Sequence, residues 1–351
     1  MSEVAAKESI REPLPMVLWR WLTSAAGITI VLSIVAAIWA AIDAGPFILV
    51  NTVVTGGMWA LLSMGLSLVF GVMNIPNFAH GEFFLAGSLT AYFVFTPLRR
   101  ALAENPNTTL SLLAPLLGIL AAIVVGLILG AILEKLVFYQ LRKRSREQWV
   151  MNSFLLTVGI SVVIINLVQL RWGADFRGIP RYWDLPALRL FGVNVSVDRI
   201  GAFLLAVIAL IVFWYFMRHT QTGRAIRAVA QDEMGALMVG INLNRILLLT
   251  MSLSAGLAAM AGASLLFIFP AYPTAGLRPL YVAWYVVILV GLGNVSAAVI
   301  GGFIVALLQT LTSFYIGVGW EDVIPTAIII IILIVKPSGL FGSEVKGIQE
   351  Q

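Results

Sequence analysis

Cysteine is absent from the 351 residues, histidine occurs only twice, and 11% of the residues are charged. Without cysteine there are no disulfides, no thiolate nucleophile and no cysteine metal site. His80 and His219 are too few to build a histidine metal centre. A soluble domain carries about 25% charged residues, so the shortage of charge argues against a soluble fold. No GxxxxGK[ST] loop is present, and the chain is therefore not expected to bind and hydrolyse ATP by itself. Nor is there an HExxH, or a serine or cysteine nucleophile paired with a base. His80 and Glu82 lie two residues apart and point to different sides of a helix, so they do not read as an acid–base pair. No catalytic residue, resident cofactor or metal is expected, and the chain reads as a non-enzyme. The pI near 9.6 reads as a membrane orientation signal rather than as nucleic-acid binding.

What is abundant is apolar sequence: 60% of residues are hydrophobic and the mean hydropathy is +0.98. Apolar runs of 18 or more residues recur along the chain, each long enough to cross the hydrocarbon core. The fold class is an all-α polytopic membrane protein of about ten transmembrane helices. Spans are predicted near 21–42, 47–70, 81–97, 111–133, 150–170, 200–217, 246–268, 281–292, 298–317 and 322–336. The eighth and tenth are shorter than a full span needs, which predicts helices that are tilted, broken or partly re-entrant. The organisation is then a segment 1–20, a transmembrane domain 21–336 with a loop at 218–245, and a tail 337–351. The first run is longer than a signal-peptide core and reads as a retained helix.

Placing the N-terminus inside puts all five lysines (Lys7, Lys135, Lys143, Lys336 and Lys346) and the RKRSR cluster at 142–146 inside, as the positive-inside bias requires. Both termini are then cytoplasmic. The span interiors carry no Lys, Arg or Asp, while Glu82 falls in the first turn of its span. That scarcity argues against a proton relay or a voltage sensor at membrane depth.

Two stretches stand out against this background. GVMNIPNFAHGEFF (71–84) places Asn74, Asn77, His80 and Glu82 between oily runs, with Gly71, Pro76 and Gly81 favouring a helix break. Backbone freed at membrane depth must find partners, and these polar side chains are suited to supply them. An ordinary loop, a hinge and a substrate-lining segment all remain open, the hinge being favoured. The stretch aligns without gaps against GLGNVSAAVIGGFI (291–304), pairing Gly71, Asn74, Gly81 and Phe83 with Gly291, Asn294, Gly301 and Phe303. Asn74, Asn77, His80, Gly81, Glu82, Gly291, Asn294 and Gly301 are the hinge or pathway candidates.

The second stretch, RHTQTGRAIRAVAQDEMGALMVGINLNRI (218–246), predicts a short amphipathic helix. Ala225, Ala228, Met234, Ala236, Leu237 and Val239 form its apolar side, and Gly240 is placed as its C-terminal stop. Its charges, Arg224, Arg227, Asp232 and Glu233, would orient a docking partner; a plain solvated connector is the alternative.

Together, NFAHGEF (77–83), GRAIRAVAQDEMGALMVGIN (223–242), GLGN…GG (291–302) and KPSGLFG (336–342) resemble the permeases of branched-chain amino-acid ABC importers of the LivH type. The likeness covers almost the whole chain beyond the first helix. The resemblance implies a bacterial inner-membrane subunit that translocates branched-chain or related amino acids by alternating access. It implies a second permease as partner, in a homo- or heterodimer. Two cytoplasmic ATP-binding subunits holding ATP-Mg and a periplasmic or extracellular solute-binding protein would complete the assembly. It further implies that 223–242 contacts an ATPase, with Gly223, Arg224, Arg227, Ala228, Asp232, Glu233, Ala236, Gly240 and Ile241 as coupling positions. The chain departs from the family pattern at Pro76 and at Ser296–Ala297, so urea, short amides and small organic acids stay open as substrates. A stand-alone channel or secondary carrier is the alternative of another class.

Overall fold

The computed structural model describes residues 24–144, 149–190 and 192–342. The predicted segment 1–20, the last two residues of the RKRSR cluster and the end of the tail therefore lie outside the described residues. The long helices are α1 (Ala25–Asp43), α2 (Phe47–Met73), α3 (His80–Glu104) and α4 (Thr108–Leu133), the last running through a π-turn (Glu134–Phe138) into α5 (Tyr139–Arg144). Then come α6 (Trp149–Trp172), a two-stranded hairpin of β1 (Leu188–Leu190) and β2 (Val193–Val195), and α7 (Val197–His219). Two short helices, α8 (Gln221–Gln231) and α9 (Glu233–Met238), precede α10 (Leu243–Ser264), α11 (Leu277–Val290), α12 (Val295–Tyr315) and α13 (Val323–Val335).

Among the described residues, eight helical stretches are long and apolar enough to cross a membrane: α1, α2, α4 with its extension, α6, α7, α10, α12 and Val318–Val335. The two remaining expected spans differ for separate reasons. α3 is long, but it carries His80 and Glu82 at one end and Arg99, Arg100 and Glu104 at the other; α11 has only 14 residues. Burial sorts the helices into two layers. Of the apolar window of α2, 83% is buried, against 17% for α1 and 11% for the last span. The inner helices are α2, α3, α10, α11 and α12. The outer ones turn leucine, isoleucine and valine outward, as hydrocarbon solvent demands.

Small residues hold the inner layer together. Among helices in lipid, dispersion and close backbone approach replace the hydrophobic effect. Gly87 of α3 lies against the backbone of Ala259, and Gly262 of α10 against the Phe84 carbonyl. A Cβ on Gly130 of α4 would sit 2.6 Å from the Met251 carbonyl oxygen. The antiparallel α2–α12 pair is closed the same way, with Gly302 against Ala60.

Several inner helices begin inside the layer rather than at its surface. α2 ends at Asn74, whose backbone is left-handed (φ 53°, ψ 32°). Beyond five intervening residues, 75–79, His80 touches the Leu62 carbonyl (2.9 Å). Leu62 is about 16 Å back along α2 at 1.5 Å per residue, the distance five extended residues cover at about 3.3 Å each. Residues 75–79 thus climb back beside α2, and α3 starts midway. There Gly81 meets Gly276 at the beginning of α11. At the other end of α11, Leu340 and Phe341 donate to the carbonyls of Leu289 and Val290 (2.8 and 3.0 Å). Residues 337–342, the first part of the expected tail, are therefore packed back onto the bundle.

Candidate functional site

Three backbone amides at the 74–79 break find a side chain or a helix carbonyl. Asn77 accepts from the Ala79 amide through Oδ1 (3.0 Å), Thr157 Oγ1 accepts from the Phe78 amide (3.1 Å), and Asn74 donates its own amide to Phe70 (2.9 Å). Asn77 and His80 are fully buried. A carbonyl can only accept, so His80 donates through Nε2 to Leu62 and Nδ1 is left to accept from Ser254 Oγ (3.4 Å). One imidazole thereby ties α2, α3 and α10 together. Glu82 points the other way, towards α6, where Ser161 donates to its Oε1 (2.7 Å). Its Oε2 is buried without a partner among the described residues. Phe78 stacks on Trp284 and meets Phe154 edge-on, sealing the connector against α6 and α11.

The aligned partners at 291–304 do not repeat this geometry. Gly71 lies inside α2, whereas Gly291 ends α11 with φ +102°. Asn74 terminates a helix, whereas Asn294 starts one, accepting from the Ala297 amide (3.1 Å) and donating to the Phe341 carbonyl (3.4 Å). Gly301 packs against Val286 and Val290. The two stretches are instead contact partners: Gly71 lies against the backbone of Gly293, at the same end of the bundle.

That end also carries the 218–245 loop. Thr220 caps α8 by accepting from the Gly223 amide (3.0 Å), and Gly223 sits under the last turn of α7. Ile226 and Val229 are buried as α8 packs on α2 and α10, while Arg224, Arg227, Asp232 and Glu233 stay exposed. The single amphipathic helix expected here is in fact two. Asp232 is extended (φ −155°, ψ 107°) and separates α8 from α9, since a short acceptor side chain favours cap positions over helix interiors. The break changes the apolar side. Ala236 is buried and Ala228 half-buried, but Met234, Leu237 and Val239 of the expected apolar side are exposed together with Met238 (64, 44, 76 and 83%). Gly240 does end α9, with φ +82° and the Ile241 amide donating back to Ala236 (3.1 Å), the signature of a Schellman stop.

Between this loop and the connector lies a groove of about 1100 Å³, bordered by Gly71, Asn74, Asn294, Arg218, Arg227 and Gln231. Two of the hinge candidates, Asn74 and Asn294, thus share one space with Arg227 of α8.

One cluster is absent from the sequence-derived candidates. Arg278, at the start of α11, pairs with Glu321 (3.0 Å) and Asp322 (2.9 Å) just before α13. Gln309 of α12 donates to Asp322 (2.7 Å) and accepts from the Trp59 indole of α2 (2.9 Å). Val318–Val335 includes both carboxylates and is apolar enough to cross a membrane. Both carboxylates thus fall inside a stretch apolar enough to span, whereas the sequence pattern puts Asp322 at the edge of the predicted span 322–336 and Arg278 and Glu321 in connections. A Glu-Asp pair immediately before an apolar run too short to span was the available signal.

The sequence profile of the family described as the branched-chain amino acid transport system permease component matches residues 48–333. The chain is 28% identical to the high-affinity branched-chain amino acid transport system permease protein LivH of Salmonella typhimurium over 297 residues, covering 83% of this chain and 94% of that one. Against BraD of Pseudomonas aeruginosa, a permease protein of the same description, identity is 28% over 301 residues, 84% of this chain and 94% of that one. The probable branched-chain amino acid transport permease protein LivH of Methanocaldococcus jannaschii is 26% identical over 313 residues, 85% and 93% of the two chains. No solved structure matches the chain significantly. With a helical multi-pass bundle in hand and a profile match over most of its length, the chain belongs to the family of permease components of branched-chain amino acid transport systems.

Proposed function

We propose that this permease is the membrane subunit of an ATP-driven importer for branched-chain or related amino acids, working by alternating access. The observation that carries the reading is the α8–α9 pair. It is rooted in the bundle by Ile226 and Val229 and offers Met234, Leu237, Met238 and Val239 to solvent beside exposed Arg224, Arg227, Asp232 and Glu233. An exposed apolar patch rimmed by charge is a docking surface. A chain without a phosphate-binding loop needs another subunit to supply ATP hydrolysis. In this reading the α8 end faces the cytoplasm and docks the ATP-binding subunits. Their closure pushes α8 against α2 and α10, and the Gly71–Gly293 joint passes the movement to the helices that begin midway. A second permease and an external solute-binding protein complete the assembly, and amino acids are the substrate class that the relatives' names favour over urea, amides or organic acids.

The test is gentle purification of the tagged chain from its native membrane. ATP-binding subunits in stoichiometric amount, lost when Arg227→Ala and Asp232→Ala are combined, support the reading. A chain that emerges alone, with the double substitution changing nothing, overturns it. Glu82, a buried carboxylate with one oxygen unpartnered among the described residues, keeps an ion-coupled carrier as the second reading. Gradient-driven uptake without ATP would establish that instead.

A further inference from the structure

Charges that stay partly exposed at membrane depth must face water or protein rather than hydrocarbon. The depth of Arg278, Glu321 and Asp322 follows from the helices that hold them. α11 has 14 residues and α13 has 13, about 20 Å each. Both run to the α8 end, where Gly291 after α11 is packed by Ser338 and Gly339 after α13. Their starts therefore lie about 10 Å short of crossing a hydrocarbon layer of about 30 Å. Gln309 gives the same depth from the other side: it bonds Asp322 from six residues before the end of α12, about 9 Å in.

The cluster is not neutral. One guanidinium faces two carboxylates, leaving one negative charge over. Asp322 is held twice, by Arg278 and Gln309, while Glu321 is held by Arg278 alone among the described residues. The Arg278 and Glu321 side chains are 38% and 26% exposed, so this pair is open to solvent and costs little to part. Phe269 lies under the guanidinium (5.9 Å), and Tyr281, one turn along α11, is 48% exposed.

We infer that Arg278 and Glu321 form a transit site for a zwitterionic α-amino acid on the half of the pathway away from α8. The inference rests on the importer reading above. The α-carboxylate takes the Arg278 guanidinium and the α-ammonium takes Glu321, so one exposed ion pair is exchanged for two without adding net charge. Asp322, fixed by Gln309, keeps Arg278 in place throughout, and Phe269 and Tyr281 flank the apolar side chain. Urea and short amides bring neither charge, and an organic acid meets the surplus carboxylate with nothing to neutralise it. The site thus selects against the alternative substrates by charge pattern.

The test is uptake of radiolabelled leucine into proteoliposomes holding the whole importer, for wild type, Glu321→Gln and Glu321→Asp. Glu321→Gln is expected to lower leucine uptake at least tenfold, while subunit assembly and ATP hydrolysis stay within about twofold; Glu321→Asp should retain clearly more uptake than Glu321→Gln. Leucine uptake by Glu321→Gln within twofold of wild type overturns the inference and leaves the importer reading standing. Loss of the partner subunits in both variants overturns it too, making the carboxylate a brace. Failure of wild type to take up leucine or any other zwitterionic amino acid would instead strike the substrate class itself.

Discussion

Gly71 and Gly293 meet backbone to backbone: a Cβ on Gly71 would lie 2.8 Å from the Gly293 carbonyl oxygen and 3.0 Å from its Cα. One residue belongs to the last turns of α2 and the other to the α11–α12 turn, where its φ is +80°. Neither position has room for a side chain. Gly71→Ala is expected to cost about 1–3 kcal/mol through overpacking, and to reduce uptake more than its loss of thermal stability explains. An alanine variant with wild-type uptake would remove the joint from the mechanism.

The re-entrant connector gives a second prediction. Asn77→Ala should destabilise by about 1 kcal/mol, as loss of a capping acceptor does. Thr157→Val, which strips the acceptor from the Phe78 amide, should cost about 1–3 kcal/mol for a buried unpaired donor. The two bonds serve adjacent amides, so the double variant is expected to depart from additivity. A thermal-unfolding double-mutant cycle reads the difference; strict additivity would mean that the connector is not ordered as one unit.

Glu82 separates hinge from pathway. Glu82→Gln keeps an acceptor for Ser161 and removes the charge. If the stretch is a hinge, uptake by this variant should remain within about threefold of wild type, a change worth under about 1 kcal/mol. Uptake abolished in a fully assembled complex would make the charge part of the pathway.

The loop between α6 and the hairpin is stapled at Tyr182. Asp198 accepts from the amides of Tyr182 and Trp183 (2.6 and 3.0 Å), and the Tyr182 hydroxyl donates to the Ala263 carbonyl. Burial, with the neighbouring Asp198, pushes the Tyr182 phenol above its ordinary range. Asp198→Ala leaves two amides without their acceptor and should cost about 2–4 kcal/mol. Protease sensitivity should appear within 173–187; an unchanged digestion pattern and melting point would contradict it.

How far the sequence revealed this architecture differs from element to element. Long apolar runs such as 47–70 and 111–133 announce helices because crossing hydrocarbon needs about 20 residues. The break at 71–84 was visible because Asn77 and His80 have no other use in an oily run, and both turn out to satisfy backbone or tie helices. The division at Asp232 was not visible, since Asp suits a helix start as well as an exposed helical face. Nor was the Arg278–Asp322 pair, whose members are 44 residues apart. Arg278 reads as loop charge and Asp322 as the edge of a span until the packing of α11 and α13 brings them together. Local pattern gives helices; depth comes from how they stack.

The central claim is that movement of substrate through this chain is driven by ATP hydrolysed in other subunits. The most direct measurement is leucine uptake by proteoliposomes carrying the purified assembly, with and without internal ATP, beside liposomes carrying the chain alone. Uptake that requires ATP and the associated subunits is the predicted result. Equal uptake by the isolated chain without ATP would contradict it and leave a stand-alone channel or carrier in its place.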